Sequence, residues 1–99
     1  MTLFYYGVEL IGKIEFHFED DGIHVDWFLA PGYGKVCWES FSNNWKPRAI
    51  HLVCVADPNE STETVARRFN FYFNTIGGFH VQNVQYDGGA ARFLLYKEI

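Results

Sequence analysis

Hydrophobic and polar positions alternate most clearly between Lys13 and Leu29. Every second residue is apolar from Ile14 to Phe18 and again from Ile23 to Leu29, with mostly acids and histidines between them. Alternation with period two on both sides of the turn-forming pair Asp21-Gly22 predicts a β-hairpin with one buried face. A slip of one residue would bury the acids instead. The expected buried residues include Phe16, Phe18, Val25 and Trp27.

The pattern leaves two registers open for this hairpin. In one register His17 lies opposite His24, and a nearby aspartate could complete a metal site of the kind that histidine favours. In the other, with Asp21-Gly22 as a two-residue turn, His17 faces Asp26. Both registers keep the apolar face intact. Two histidines and exposed acids at a hairpin tip are more often a solvated surface, so we expect no metal and no cofactor.

Four further stretches favour strands. "LFYYGVEL" (3–10) predicts a first strand broken near Gly7, and "KVCWESF" (35–41) predicts a strand after a loop rich in Pro and Gly. "RAIHLVCVA" (48–56) is a continuous β-rich run, typical of a central strand covered on both faces. The last 22 residues predict a second hairpin that turns at residues 87–89, with a bulge between Val81 and Val84.

The stretch "RRFNFYFNTIGG" (67–78) fits two periods. Its phenylalanines alternate with polar residues as in a strand, but the preceding "DPNESTETVA" carries helix-start signals, with Asp57 or Ser61 as the cap. Gly77 and Gly78 can stop a helix, so we predict a helix. Its apolar face comprises Val65, Phe69, Tyr72, Phe73 and Ile76. Phe71 then lies about 120–160° from the centre of that face and looks outward, on the side of Arg67.

These elements predict a single α+β domain over residues 1–99. The expected order is β-β-β-β-α-β-β, with one helix packed on a mainly antiparallel sheet. The connection from the strand at Ile50 through the helix to the strand at Tyr86 could place these two strands parallel, by a right-handed crossover.

The negative charge is concentrated in the first half of the chain. The net charge is -4, and residues 1–45 hold seven acidic and two basic residues, against five acidic and six basic in residues 46–99. This balance argues against direct nucleic-acid binding and favours a protein partner with a basic surface. The chain shows no signal-peptide pattern and no apolar run near the ~20 residues that span a bilayer, so a cytoplasmic location without membrane contact is expected.

No sequence motif indicates catalysis, and we predict that the protein is not an enzyme. "PGYGK" (31–35) has two glycines and a lysine but lacks the spacing of a nucleotide-binding loop. His51 and Cys54 lie three residues apart on one strand and therefore on opposite faces. Cys37 and Cys54 are expected to be reduced structural thiols.

The aromatic content is the clearest pointer to function. Phe, Tyr and Trp make up 19 of the 99 residues, more than one small core can hide, and aromatic side chains anchor protein interfaces. We expect a small acidic, non-catalytic protein-binding module, of the stoichiometric inhibitor, immunity or phage anti-defence type, acting on a basic partner that handles nucleic acid. The sequence does not decide between a monomer and a homodimer. The alternative is a small-ligand-binding domain or small enzyme with an aromatic-lined pocket between helix and sheet. The expected partner-binding residues are Glu15, Glu19, Asp20, Asp21, Asp26, Tyr33, Arg67 and Phe71.

Overall fold

The α+β class is confirmed by a computed structural model that describes residues 1–99. A six-stranded, mostly antiparallel sheet has the strand order β1-β2-β3-β4-β6-β5. Contacts group the chain into a first unit, residues 1–50 with Ile99, and a second unit, residues 51–98. The elements are β1 (Thr2–Tyr6), β2 (Glu9–Glu19), β3 (Gly22–Leu29), α1 (Gly34–Trp45), β4 (Ala49–Ala56), α2 (Thr62–Asn70), a π-helical segment (Phe71–Gly77), β5 (His80–Asp87) and β6 (Ala90–Glu98).

In the first unit, α1 packs on one face of the antiparallel strands β1, β2 and β3. Phe41 and Trp38 of α1 are at most 2% exposed, and the Phe41 ring lies 5.0 Å from that of Phe16 on β2. The helix can come this close because β2 carries Gly12, where an added Cβ would lie 2.9 Å from Cys37 Sγ. We call the sheet face under α1 the inner face and the opposite one the outer face.

The prediction of a strand over residues 35–41 was wrong, because this stretch forms α1. The observed element order is β-β-β-α-β-α-β-β, whereas the expected order was β-β-β-β-α-β-β. The alternation of Val36 with Trp38 suggested a strand. The residues that are buried are Cys37, Trp38 and Phe41, whose i, i+1, i+4 spacing is that of one helical face, while Val36 is 62% exposed. Lys46 ends the helix with a left-handed backbone.

The first predicted hairpin is confirmed, and its register is the one in which His17 pairs with His24. The turn is Asp20-Asp21 rather than Asp21-Gly22, since Glu19 pairs with Gly22. Gly22 has another role: an added Cβ would overlap the backbone carbonyl of Ala49.

A bulge in this hairpin corrects the predicted burial. Glu15 pairs with Trp27 and Phe16 with Val25, which leaves Asp26 as an extra residue on β3. The alternation therefore inverts after Val25. That residue is 5% exposed as predicted, but Trp27 turns outward and is 53% exposed. In its place the Phe28 ring lies 5.4 Å from the ring of Trp38, on the inner face.

Phe18 was also predicted to be buried and is not, although it lies on the inner face. Phe18 is 64% exposed because it lies near the end of β2, where only the C-terminal end of α1 contacts it. Its ring lies 5.4 Å from that of Trp45, the last residue of the helix. Phe16, one step further in, is half-buried between Phe41 and the same tryptophan.

In the second unit the predicted helix is confirmed, and Ser61 rather than Asp57 caps it. Ser61 Oγ accepts a hydrogen bond from the Thr64 amide at 3.1 Å, which satisfies one of the free amides of the first turn. From Phe71 the chain continues as a π-helix to Gly77, and left-handed Gly78 ends it. The predicted face packs through Phe69, whose ring lies 5.0 Å from that of Phe93.

The closing hairpin is confirmed in its turn and in its bulge. Its register shifts between Val81 and Asn83, as the spacing predicted, and Gly88 and Gly89 turn with positive φ. β6 lies between β4 and β5 in the sheet, so β4 and β5 are not neighbours.

Candidate functional site

The outer face of the first unit exposes a group of apolar side chains. They stand in cross-strand register: Leu3 and Leu29 both pair with Lys13, and Tyr5 pairs with Leu10. A single exposed apolar residue is ordinary, but a cluster on one sheet face marks an interaction surface. We call this cluster the apolar outer face. Its members, 41–58% exposed, are Leu3, Tyr5, Leu10, Trp27 and Leu29.

Two bulges create this surface. In the β1–β2 pair, Phe4 faces Gly12 and Tyr5 faces Leu10, so Ile11 is the extra residue. Leu10 is thereby brought beside Tyr5 on the outer face. The second bulge, at Asp26, rotates Trp27 onto the same face. A bulge re-aims every following side chain of its strand, which explains why strict alternation did not reveal the surface.

The predicted acidic cluster lies at the other end of the same ribbon. Five of the eight expected partner-binding residues come together there, and we call them the acidic hairpin. The two features adjoin, because Glu15 pairs directly with Trp27. Lys13, which lies between Leu3 and Leu29, has its Nζ 3.5 Å from Glu15 Oε1. The members of the acidic hairpin are Glu15, Glu19, Asp20, Asp21 and Asp26.

Two histidines are held among these carboxylates. The rings of His17 and His24 stack with centroids 5.0 Å apart and planes 17° from parallel. His17 Nδ1 donates to Asp26 Oδ2 at 2.8 Å, since a carboxylate can only accept. This hydrogen bond is the main reason that the pKa of His17 is raised, and the Glu19 carboxylate acts in the same direction.

The other three expected partner-binding residues lie outside the acidic hairpin. Tyr33 precedes α1 and is 42% exposed. Arg67 is on α2 of the second unit, where it forms an exposed ion pair with Glu63 at 3.1 Å. Phe71 is half-buried rather than fully exposed, and its ring packs edge-on against that of Tyr72 at 5.2 Å. The π-helical segment starts at this residue, and its wider turn rotates the side chains away from α-helical positions.

None of the five residues of the apolar outer face is among the eight expected partner-binding residues. The one available signal was the run Trp27-Phe28-Leu29, three apolar residues in a row after strict alternation. Such a run requires one of them to face outward in a sheet covered on one side, or a bulge that redistributes them.

The buried titratable groups of the second unit indicate a structural role rather than a reactive one. Burial raises the pKa of Cys54 to about 11, so at neutral pH it is a thiol and a poor nucleophile. Burial also raises the pKa of Tyr72 well above its ordinary value. Arg68 donates to both carboxylate oxygens of Glu60, at 2.9 and 2.6 Å, and to the Val55 carbonyl at 2.7 Å. The bond to Val55 joins α2 to β4, and the bidentate pair joins α2 to the loop that precedes it.

Comparison with known proteins gives no relative: no protein-family model, no curated protein and no solved structure matches the chain. Neither helix is long and apolar enough to cross a membrane.

Proposed function

We propose that the protein is a non-catalytic module that binds a partner protein through the apolar outer face and the acidic hairpin. The observation that carries the proposal is the position of both features on one three-stranded ribbon, with α1 packed on its other side. The helix holds the ribbon rigid. A rigid surface loses little conformational freedom when it binds, so more of the contact energy appears as affinity.

The size of the surface suits an interface. β1, β2 and β3 have 5, 11 and 8 residues, and each strand residue covers about 3.3 Å by 4.8 Å of a sheet. The ribbon therefore offers roughly 400 Å², about half of the ~800 Å² that each partner contributes to a standard protein interface. Trp27 is the natural anchor, because tryptophan is enriched among the residues that dominate binding energy.

The charges define the chemistry of the partner. An apolar centre beside several carboxylates fits a surface whose own apolar patch is flanked by Lys and Arg. Proteins that handle nucleic acid carry such basic surfaces, and a module that covers one would act as a stoichiometric inhibitor. The acidic hairpin would speed the encounter, and the apolar outer face would set the lifetime of the complex.

Affinity capture with matched variants tests this proposal. The chain is immobilised as bait in wild-type form, as Trp27→Ala, and as Tyr86→Ala, which truncates an aromatic residue that is 82% exposed on β5 of the second unit. We expect one protein to be retained by the wild type and by Tyr86→Ala and lost with Trp27→Ala, with Kd raised by roughly 30-fold or more for a hot-spot residue. Equal retention by both variants would move the interface away from the apolar outer face.

A further inference from the structure

Contrary to the expectation from the sequence, we propose that His17, Glu19 and His24 form a binding site for a divalent transition-metal ion of the Zn²⁺ class. The register of the hairpin places these three side chains together on the exposed ribbon. One donor atom from each residue lies within 4.8 Å of the other two. Glu19 Oε1 is 3.5 Å from His17 Nε2 and 3.4 Å from His24 Nδ1.

These separations suit a shared ion. Zinc binds nitrogen and oxygen ligands at about 2.0–2.2 Å in a tetrahedron, so neighbouring donors lie about 3.3 Å apart. The two distances from Glu19 Oε1, 3.5 and 3.4 Å, are close to that edge length. They are longer than the 2.7–3.2 Å of a good hydrogen bond, so both imidazoles approach Glu19 Oε1 at the spacing expected between ligands of one ion.

Asp26 gives the site the outer support that metal-binding histidines require. Its carboxylate accepts from His17 Nδ1 at 2.8 Å, which places the proton on Nδ1 and leaves the Nε2 lone pair for a metal. A histidine fixed in this way by a carboxylate is a recurring feature of zinc sites. Asp26 occupies this position because it is the extra residue of the bulge.

Binding must reorient the rings. Two imidazoles only 17° from parallel cannot both aim a lone pair at one ion. Coordination therefore opens the stack by rotation about χ2, a torsion with a broad energy profile in histidine. This rotation falls to the His24 ring, because the hydrogen bond to Asp26 holds the ring of His17.

The ligand set selects the class of ion. Two imidazoles and one carboxylate suit Zn²⁺, Ni²⁺ or Cu²⁺, whereas Mg²⁺ and Ca²⁺ prefer oxygen ligands throughout. Three protein ligands leave a fourth tetrahedral position for water or for a group from another molecule. Metal binding at this site needs no partner protein, so it can be tested on the isolated chain independently of the proposed function.

Calorimetric titration of the full chain, stripped of metal beforehand, tests the site. We expect ZnCl₂ to bind with a stoichiometry of one, and MgCl₂ at the same concentration to give no binding heat. Long-range ¹H–¹⁵N spectra should show shifts at His17 Nε2 and His24 Nδ1 on addition of zinc. Asp26→Asn should weaken zinc binding by roughly 10–100-fold, as expected for an outer-shell partner. Loss of a direct ligand, in Glu19→Gln or His24→Gln, should weaken it at least as much.

Two control variants separate coordination from charge. Asp20→Asn removes the same charge as Glu19→Gln from the adjacent turn, and His80→Gln removes an exposed histidine from the second unit. Both should bind zinc as the wild type does, and circular dichroism should confirm that every variant is folded. The proposal is overturned if zinc gives no saturable binding, if magnesium binds equally well, or if Asp20→Asn weakens binding as much as Glu19→Gln.

Discussion

Substitution of Gly22 tests the hairpin geometry, because two explanations for this glycine predict opposite orders of stability for its alanine and asparagine variants. If it were the turn glycine of an Asp-Gly hairpin, it would have a left-handed backbone, which asparagine tolerates better than alanine. In the structure its φ is not positive, and the turn lies at Asp20-Asp21. An added Cβ would overlap the carbonyl of Ala49 and lie 2.9 Å from the Ala49 nitrogen.

The magnitude follows from what the new atom meets. Overpacking against flexible side chains costs about 1–3 kcal/mol. Here the obstacle is backbone, which cannot move without disturbing the pairing of its own strand, so we expect Gly22→Ala to lower the free energy of unfolding by about 3 kcal/mol or more. Gly22→Asn should be at least as damaging, since its side chain is larger.

Gly88 provides the control. Its φ is +58°, and nothing lies within 4 Å of an added Cβ. Here only backbone conformation is strained, so Gly88→Ala should cost about 1–2 kcal/mol and Gly88→Asn less. Urea unfolding at 25 °C, followed by tryptophan fluorescence and circular dichroism, measures all four variants. The reasoning is refuted if asparagine is better tolerated than alanine at residue 22, or if both Gly22 variants stay within about 1 kcal/mol of the wild type.

Three further predictions follow from the same geometry. Phe41→Ala should lower the free energy of unfolding by about 3–5 kcal/mol, because Phe41 is 1% exposed, and a loss below 1 kcal/mol in urea unfolding would contradict its place in the core. Changing Glu15, Glu19, Asp20 and Asp26 to their amides should slow association with a basic partner and flatten its salt dependence in stopped-flow measurements, whereas unchanged low-salt rates would mark a merely solvated surface. The hydrogen bonds from Arg68 lower the pKa of Glu60 from 4.5, so they stabilise the fold above that value, and this contribution is lost as the pH falls through the lowered pKa. In urea unfolding at a series of pH values, the stability difference between wild type and Glu60→Gln should shrink in that acidic range, and a difference independent of pH would contradict this assignment.

The parts of the fold that depend on local chemistry could be predicted from the sequence. The closing hairpin was identifiable because Gly88 and Gly89 supply positive φ and because the spacing of Val81 and Val84 breaks the period. Helix α2 was identifiable because Ser61 can cap it. These signals need only a few neighbouring residues, so no knowledge of the tertiary structure is required.

The parts that depend on tertiary packing could not be predicted. Residues 35–41 fit both a strand and a helix, and the choice is made by the inner face, where Gly12 leaves room for a helix. Similarly, the period of α2 did not reveal that the chain continues as a π-helix from Phe71. A short apolar run is ambiguous by period alone, and its neighbours in space decide the outcome.

The bulge at Asp26 connects the two proposed sites. Without the extra residue, alternation would carry Trp27 onto the inner face beneath α1 and Phe28 outward, which was the expectation from the sequence. With it, Trp27 joins the apolar outer face, and the Asp26 carboxylate reaches His17 at 2.8 Å. Burying the tryptophan with strict pairing would have placed more apolar surface in the core, so the bulged arrangement leaves part of that hydrophobic stabilisation unused. A local feature that forgoes core burial while it exposes an aromatic anchor and orients a histidine is better explained by binding than by stability, because bulges recur where a strand must re-aim a functional side chain.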